Sequence, residues 1–168
     1  MTMRSATRSA LLSLFASLAA GCYQSTLPLG PPGRGTIDRA LVGSWSCVDP
    51  KDATNRAVVT SRPLDAHRYA IEWREEPDHV TRYRAYSTRV GKEVLLNVEE
   101  VDSTRTDPRF VFLRARPVTG GGLSIALVQE DALKGRTGAT AIAEITRRVS
   151  DPTLFGPFAT CTATVPRP

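Results

Sequence analysis

The chain has 168 residues, of which 41% are hydrophobic and 23% are charged, proportions that are ordinary for a globular protein. A chain of this length predicts a single domain with one core. Its 22 basic and 17 acidic residues give a net charge of +5. So small a surplus, spread along the chain, does not make the dense basic patch that binding to a phosphate backbone requires. Composition therefore argues against nucleic acid as a partner.

The first 21 residues have the three-part pattern of a secretory signal peptide. A basic stretch runs from Met1 to Arg8, an apolar run follows from Ala10 to Ala20, and small residues precede Cys22. The apolar run is shorter than the roughly 20 residues that a membrane-spanning helix needs. We therefore expect residues 1–21 to direct export and to be removed. The remaining chain has 20 basic and 17 acidic residues and a net charge of +3.

The residues Ala19-Ala20-Gly21-Cys22 resemble the lipobox of bacterial lipoproteins, in which small residues precede a cysteine that accepts diacylglycerol before cleavage. That family more often has leucine, valine or isoleucine at the position of Ala19. The resemblance implies cleavage after Gly21 and attachment of palmitate-type acyl chains at Cys22, which anchor the protein to a membrane of the cell envelope. Tyr23, rather than aspartate, follows the cysteine, which in lipoproteins of the enterobacterial type implies sorting to the outer membrane. Ordinary signal-peptide cleavage nearby, without lipidation, is the alternative.

Two further cysteines, Cys47 and Cys161, lie near opposite ends of the exported part of the chain. An exported protein enters an oxidising compartment such as the periplasm, where thiols pair. A disulfide between these two cysteines would close a loop of more than about 100 residues and contribute about 4 to 5 kcal/mol in the chain-entropy model. Two buried free thiols are the alternative.

The sequence from Gln24 to Gly35 is too rich in proline and glycine for a helix or an inner strand. We expect residues 22–35 to form a lipidated tether and residues 36–168 to form a single β-barrel-like domain. Thr36 is suited to cap a short helical turn, Ile37–Leu41, that leads into the first strand.

Beyond this turn, short apolar or alternating runs are separated by turn residues, a pattern typical of an antiparallel all-β domain. The clearest run is Arg68–Arg74, in which Tyr69, Ile71 and Trp73 share one face. The predicted strands are Gly43–Val48, Ala57–Thr60, Arg68–Arg74, Val80–Val90, Glu93–Val101, Phe110–Pro117, Leu123–Gln129 and Ala159–Val165. About seven or eight strands with hairpin links predict a small closed meander barrel, because closure removes exposed strand edges. A β-sandwich is the alternative.

One later segment, Thr140–Val149, predicts a helix. Ile142, Ile145 and Val149 recur at helical spacing, and Pro152 follows the end of the segment. We expect the apolar side of this helix to cover an edge or an open end of the sheet.

The segment Leu41-Val-Gly-Ser-Trp45, entered from a short helical turn, resembles the opening of lipocalin-type barrels. In those barrels the first strand carries a Gly-x-Trp motif, here Gly43-Ser44-Trp45, and the indole closes the base of the barrel. The resemblance implies a cup for a small apolar ligand, although a fold does not by itself fix a function.

Motifs of catalysis and metal binding are absent from the sequence. The chain has two histidines, His67 and His79, both in predicted loops or turns, and it has no Gly-x-Ser-x-Gly nucleophile elbow. No spacing of histidine and cysteine suits zinc, and the acidic turn after Glu75 lacks the ligand order of calcium loops. We expect no enzymatic activity, no metal and no cofactor.

Four arginines on two predicted strands are the candidate ligand-binding residues. Arg82 shares a strand face with Arg84, and Arg114 shares one with Arg116, so each pair could line a cup and bind the carboxylate or phosphate of an anionic amphiphile. The alternative places these arginines in solvent, where they would pair across strands with glutamates, namely Glu72, Glu99 and Glu100.

Two aromatic residues, Trp45 and Trp73, are predicted core residues that could also contact a ligand. The expected function is that of a membrane-anchored envelope lipoprotein that binds a small apolar or amphipathic molecule. The alternative is an envelope interaction or structural module without a ligand. A cavity of about 300 Å³ or more, against a filled interior, distinguishes the two.

Overall fold

The computed structural model describes residues 21–76, 79–101 and 104–164. The predicted signal peptide lies outside these residues except for Gly21. The described residues form nine strands and one α-helix, α1, Gly138–Arg148. The strands are β1 Gln24–Ser25, β2 Gly43–Asp49, β3 Asp52–Pro63, β4 Arg68–Glu76, β5 His79–Val90, β6 Glu93–Glu100, β7 Phe110–Val118, β8 Gly122–Val128 and β9 Phe155–Ala163.

Strands β2 to β9 form a closed antiparallel barrel. Each strand pairs with the next one in the chain, and β9 returns to pair with β2. The closing seam sets Trp45 opposite Ala163 and Cys47 opposite Cys161. Because β2 pairs with β9, the sheet of strands β2 to β9 has no exposed edge of the kind that an open sheet would have. The prediction of a lipocalin-like meander barrel is confirmed, and the sandwich alternative is wrong.

The alternation of apolar and charged residues along β4 places the apolar side chains inside the barrel and the charged ones outside. Tyr69, which is only 1% exposed, Ile71 and Trp73 point into the barrel. Arg74 follows Trp73, points to the opposite face and is exposed. The hairpin from β5 to β6 turns at Gly91, whose φ of 60° lies in the left-handed region that favours glycine.

The disulfide predicted from the cysteine count is confirmed. Cys47 on β2 and Cys161 on β9 are bonded and are direct register partners across the closing seam. Because 114 residues separate them in the chain, the bond ties the first barrel strand to the last. Cys22 lies outside this disulfide.

Helix α1 packs on the outer wall of the barrel, so the expectation that it covers an edge or an open end is wrong. Its residues Ala141 and Ile145 are fully buried in one cluster with Leu95 of β6 and Phe112 of β7. The middle of β6 is buried on both faces, since Leu95 joins this outer cluster and Leu96 joins the barrel interior. The outer wall therefore needs a cover, and the helix provides it.

Residues 22–35 do not form a free tether. Tyr23 is 5% exposed and Ser25 is 2% exposed, and β1 continues the barrel wall by pairing Ser25 with Phe110 at the start of β7. The amide N–H of Tyr23 also donates to the carbonyl of Val128 at the end of β8, over 3.0 Å. Residues 22–35 are therefore part of the folded domain, which does not begin at Thr36.

A buried asparagine holds the proline- and glycine-rich part of this segment against the barrel. The side-chain oxygen of Asn97, which is fully buried, accepts the N–H of Leu29 over 2.8 Å. The hydroxyl of Tyr86 donates to the carbonyl of Gly30 over 3.1 Å. These tertiary hydrogen bonds order a segment whose local sequence favours no regular structure.

Candidate functional site

The barrel encloses a cavity of about 670 Å³. This volume lies within the range of roughly 300 to 1,000 Å³ that is usual for small-molecule sites. The middle of the cavity is walled by apolar and aromatic side chains from strands around the barrel, including Trp45, Val59, Ile71, Leu96, Leu113 and Ile125. An interior of this kind suits the apolar part of a ligand.

The chain that enters the barrel lies across one end of the cavity. A 3₁₀ turn over Arg39–Leu41 precedes β2, and Leu41 lines the cavity from below. The phenol oxygen of Tyr69 accepts the backbone N–H of Asp38 over 2.6 Å, which ties β4 to this turn. Burial is the main cause that raises the pKa of the Tyr69 hydroxyl. A second cavity adjoins this end of the barrel and shares Leu41 and Tyr69 with the first.

The opposite end is a polar mouth formed where β2, β4 and β6 finish. Asp49, Glu75 and Glu100 line the cavity at these strand ends. The indole N–H of Trp73 donates to the Glu75 carboxylate over 2.9 Å, which fixes this acid beside an aromatic ring. The apolar interior thus ends in carboxylates.

Tyr83 lies just inside the mouth, opposite Glu100 in the register of β5 and β6. Burial raises the pKa of the Tyr83 hydroxyl most, and the negative charge of Glu100 raises it further. A hydrogen bond with Thr81 acts in the opposite direction, and Glu75 adds a smaller increase. The phenol therefore stays neutral and faces two carboxylates.

The structure places Arg114 and Arg116 outside the cup. Their neighbours Leu113 and Ala115 line the cavity, and alternation along β7 turns the two arginines outward. The guanidinium of Arg114 lies 4.0 Å from the ring centre of Phe155, and the side chain of Arg116 pairs with Glu93 over 2.7 Å.

Arg82 and Arg84 also lie on the outer face, because Tyr83 between them faces the cavity. Arg82 lies 3.8 Å from Glu72, and Arg84 is the register partner of Glu99. The prediction that the four arginines line the cup is therefore wrong, and the alternative of cross-strand charge partners fits their positions.

The two candidate tryptophans do line the cavity. Trp45 is 2% exposed and lies deep in the barrel, while Trp73 stacks at a tilt on Phe158, with ring centres 5.4 Å apart. Their contact with a ligand stays a prediction.

The histidines lie away from the cavity interior. His67 is exposed, and its Nδ1 is 2.7 Å from the carbonyl oxygen of Gly35, while His79 is exposed at the start of β5. In the described part of the chain, no three histidine, cysteine, aspartate or glutamate side chains are grouped to hold a metal ion. The acidic turn after Glu75 lies partly outside the described residues.

The predicted lipidation residue, Cys22, lies at the edge of the cavity mouth, together with Gln24. Its backbone forms a bridge with Gln129, and its side chain is half-buried. Burial raises the pKa of the Cys22 thiol, and the charge of Lys51 lowers it to a smaller extent. Among the described residues, none of the helices is long and apolar enough to span a membrane.

Sequence reasoning overlooked the carboxylates of the mouth and the role of Asn97. Glu75 and Glu100 read as ordinary charges at strand ends, and only closure of the barrel brings them to one opening. Asn97 had a visible signal, because it interrupts the apolar run Leu95–Val98. No protein-family model matches the chain, and no curated protein or solved structure is significantly similar to it.

Proposed function

We propose that this protein binds a small apolar or amphipathic molecule inside the barrel, and that a lipid on Cys22 anchors it to a membrane of the cell envelope. The observation that carries the proposal is the apolar cavity of about 670 Å³, which opens at the polar mouth. Protein interiors are close-packed and contain few voids larger than a water molecule. A barrel that served only as a structural module would be expected to fill this space with side chains.

The chemistry of the wall favours an apolar ligand body. Transfer of apolar surface from water into such a site contributes about 25 cal/mol per Å². The aromatic and aliphatic lining gives the ligand an apolar surface against which to gain this free energy. The polar mouth leaves a headgroup in contact with solvent. An enzyme would need a nucleophile held against an oriented base, and the cavity interior favours binding over such chemistry.

The position of Cys22 fits an anchored carrier. Acyl chains on this residue would bring the bilayer to the side of the barrel on which the cavity opens. Because residues 22–35 pack on the barrel, the distance between membrane and mouth would stay short. Cleavage after Gly21 removes one backbone hydrogen bond, from Glu130 N–H to the Gly21 carbonyl, which contributes about 1 kcal/mol.

Native mass spectrometry of the exported protein tests the binding function. We expect a retained small molecule in the wild type and its loss in Ala115→Trp, which fills part of the cavity. The matched control is Ala70→Trp, because Ala70 lies on the outward side of β4 between the inward Tyr69 and Ile71. A wild-type protein that carries no molecule and takes up no apolar probe would contradict the proposal and favour a ligand-free interaction module.

The anchor has its own test. Cells fed radiolabelled palmitate should label the wild type and not Cys22→Ala. Equal labelling of the two proteins would exclude a lipid at this residue, and absence of label from both would favour ordinary cleavage.

A further inference from the structure

The charge of the cavity is distributed unevenly between interior and mouth. The interior wall is mainly apolar or aromatic, and apart from Arg56 within β3 the charged residues that line the cavity lie at strand ends or in the loop before β7. Among the described residues, no basic side chain reaches the middle of the barrel. An anionic headgroup drawn into this interior would have no cation to pair with, and burial of an unpaired charge is costly.

Acidic residues outnumber basic ones among the charged residues that line the cavity. The partly buried charged residues of the lining are all acids, namely Asp49, Glu75 and Glu99. The arginines that contribute to the lining, Arg56, Arg105 and Arg109, are all exposed, as are the acids Glu100 and Asp107. A headgroup at the boundary between cavity and solvent therefore meets carboxylates first.

Aromatic rings border the same carboxylates. Trp73 donates its indole N–H to Glu75, and Tyr83 lies opposite Glu100. A carboxylate beside an aromatic ring attracts an ammonium group in two ways, through its charge and through the negative face of the ring. The same two carboxylates repel a carboxylate or phosphate headgroup.

We infer that the ligand is an amphiphile with a cationic headgroup, whose apolar body fills the barrel and whose ammonium group lies at the mouth between Glu75 and Glu100. The inference rests on the proposed binding function and names its ligand class. It replaces the anionic amphiphile that the arginine pattern suggested, because those arginines lie on the outer face of the barrel.

Three probes of equal chain length test the inference: dodecyltrimethylammonium, dodecanol and dodecanoate, each below its micelle concentration. The full chain carrying Cys22→Ser is exported and purified without detergent, and binding is followed by tryptophan fluorescence and calorimetry. We expect the ammonium to bind most tightly and dodecanoate least. One half-buried carboxylate, Glu75, and one exposed carboxylate, Glu100, predict about a threefold to tenfold preference for the ammonium over the alcohol, reduced by salt.

The double variant Glu75→Gln with Glu100→Gln should lower the affinity for the ammonium to that of dodecanol for the same variant and so abolish the preference between the two probes. Glu93→Gln is the matched control, since Glu93 pairs with Arg116 on the outer face and should keep the wild-type preference. Circular dichroism checks that each variant is folded.

The outcomes separate the inference from the function on which it rests. Dodecanoate bound as tightly as the ammonium, or a double variant that keeps the preference, would overturn the ligand class while binding of dodecanol still supported the carrier function. If the folded protein binds none of the three probes, the carrier function fails and the ligand class fails with it.

Discussion

Asn97 holds the N-terminal segment against the barrel, and the structure allows the cost of its removal to be worked out. Its side-chain oxygen accepts the Leu29 N–H over 2.8 Å, and its Nδ2 donates to Thr88 Oγ1 over 2.9 Å and to the Tyr86 carbonyl over 3.3 Å. Each hydrogen bond contributes about 0.5 to 1.5 kcal/mol, and a buried group left without a partner costs more. We expect Asn97→Ala to lower the free energy of unfolding by about 2 to 3 kcal/mol.

Urea unfolding measures this loss, and hydrogen exchange locates it. The backbone of Leu29 and its neighbours should exchange faster in Asn97→Ala, whereas β2 to β4 should keep their protection. The matched control is Asn55→Ala, because Asn55 is half-buried on β3, three strands away from β6 in the barrel. If Asn97→Ala destabilises the protein no more than Asn55→Ala does, and the exchange of the segment is unchanged, the assigned role of Asn97 is wrong.

The remaining predictions concern the disulfide and two titrating groups. Replacing both Cys47 and Cys161 by alanine should lower the free energy of unfolding by up to about 4 to 5 kcal/mol in urea, and an unchanged urea midpoint would refute this. Hydrogen bonding, first with the Thr153 side chain, lowers the pKa of Asp151 to about 2, so its contribution to stability should be present above pH 4 and lost as the pH falls towards 2. In Asp151→Asn the free energy of unfolding should fall less steeply between pH 4 and pH 2 than in the wild type. The same pH dependence in both proteins would contradict the role given to Asp151. Burial raises the pKa of Tyr86 to about 12, so its contribution should be present below pH 10 and lost as the pH rises to 12, a loss that Tyr86→Phe should abolish in alkaline unfolding curves.

Local periodicity was sufficient for the strands of the barrel, β2 to β9, and for the helix, but not for β1. The alternation in Arg68–Arg74 predicted one buried face because side chains on a strand point to opposite sides, and β4 covers that segment. The helix predicted over Thr140–Val149 begins two residues earlier, at Gly138, and ends one residue earlier, at Arg148. Cysteine counting likewise identified the pair that closes the barrel.

Periodicity could not decide which face of β7 points into the barrel. Phe110 and Phe112 on one face are buried under the N-terminal segment and the helix, while Val111 and Leu113 on the other face line the cavity. Both faces are apolar at the start of this strand, so the sequence pattern fits either orientation. The placement of the arginines further along the strand depends on that choice, which is why they were assigned to the wrong side.

By itself, the sequence determined the all-β class, the approximate positions of the strands, the disulfide pair and the expectation of a lipid at Cys22, because these follow from composition, spacing and local periodicity. The tertiary structure decided that residues 22–35 pack on the wall, that the barrel is hollow, and that carboxylates line its mouth while the four candidate arginines lie on the outer face. Those features depend on contacts between residues far apart in the chain. The bond between Leu29 and Asn97, for example, joins positions 68 residues apart.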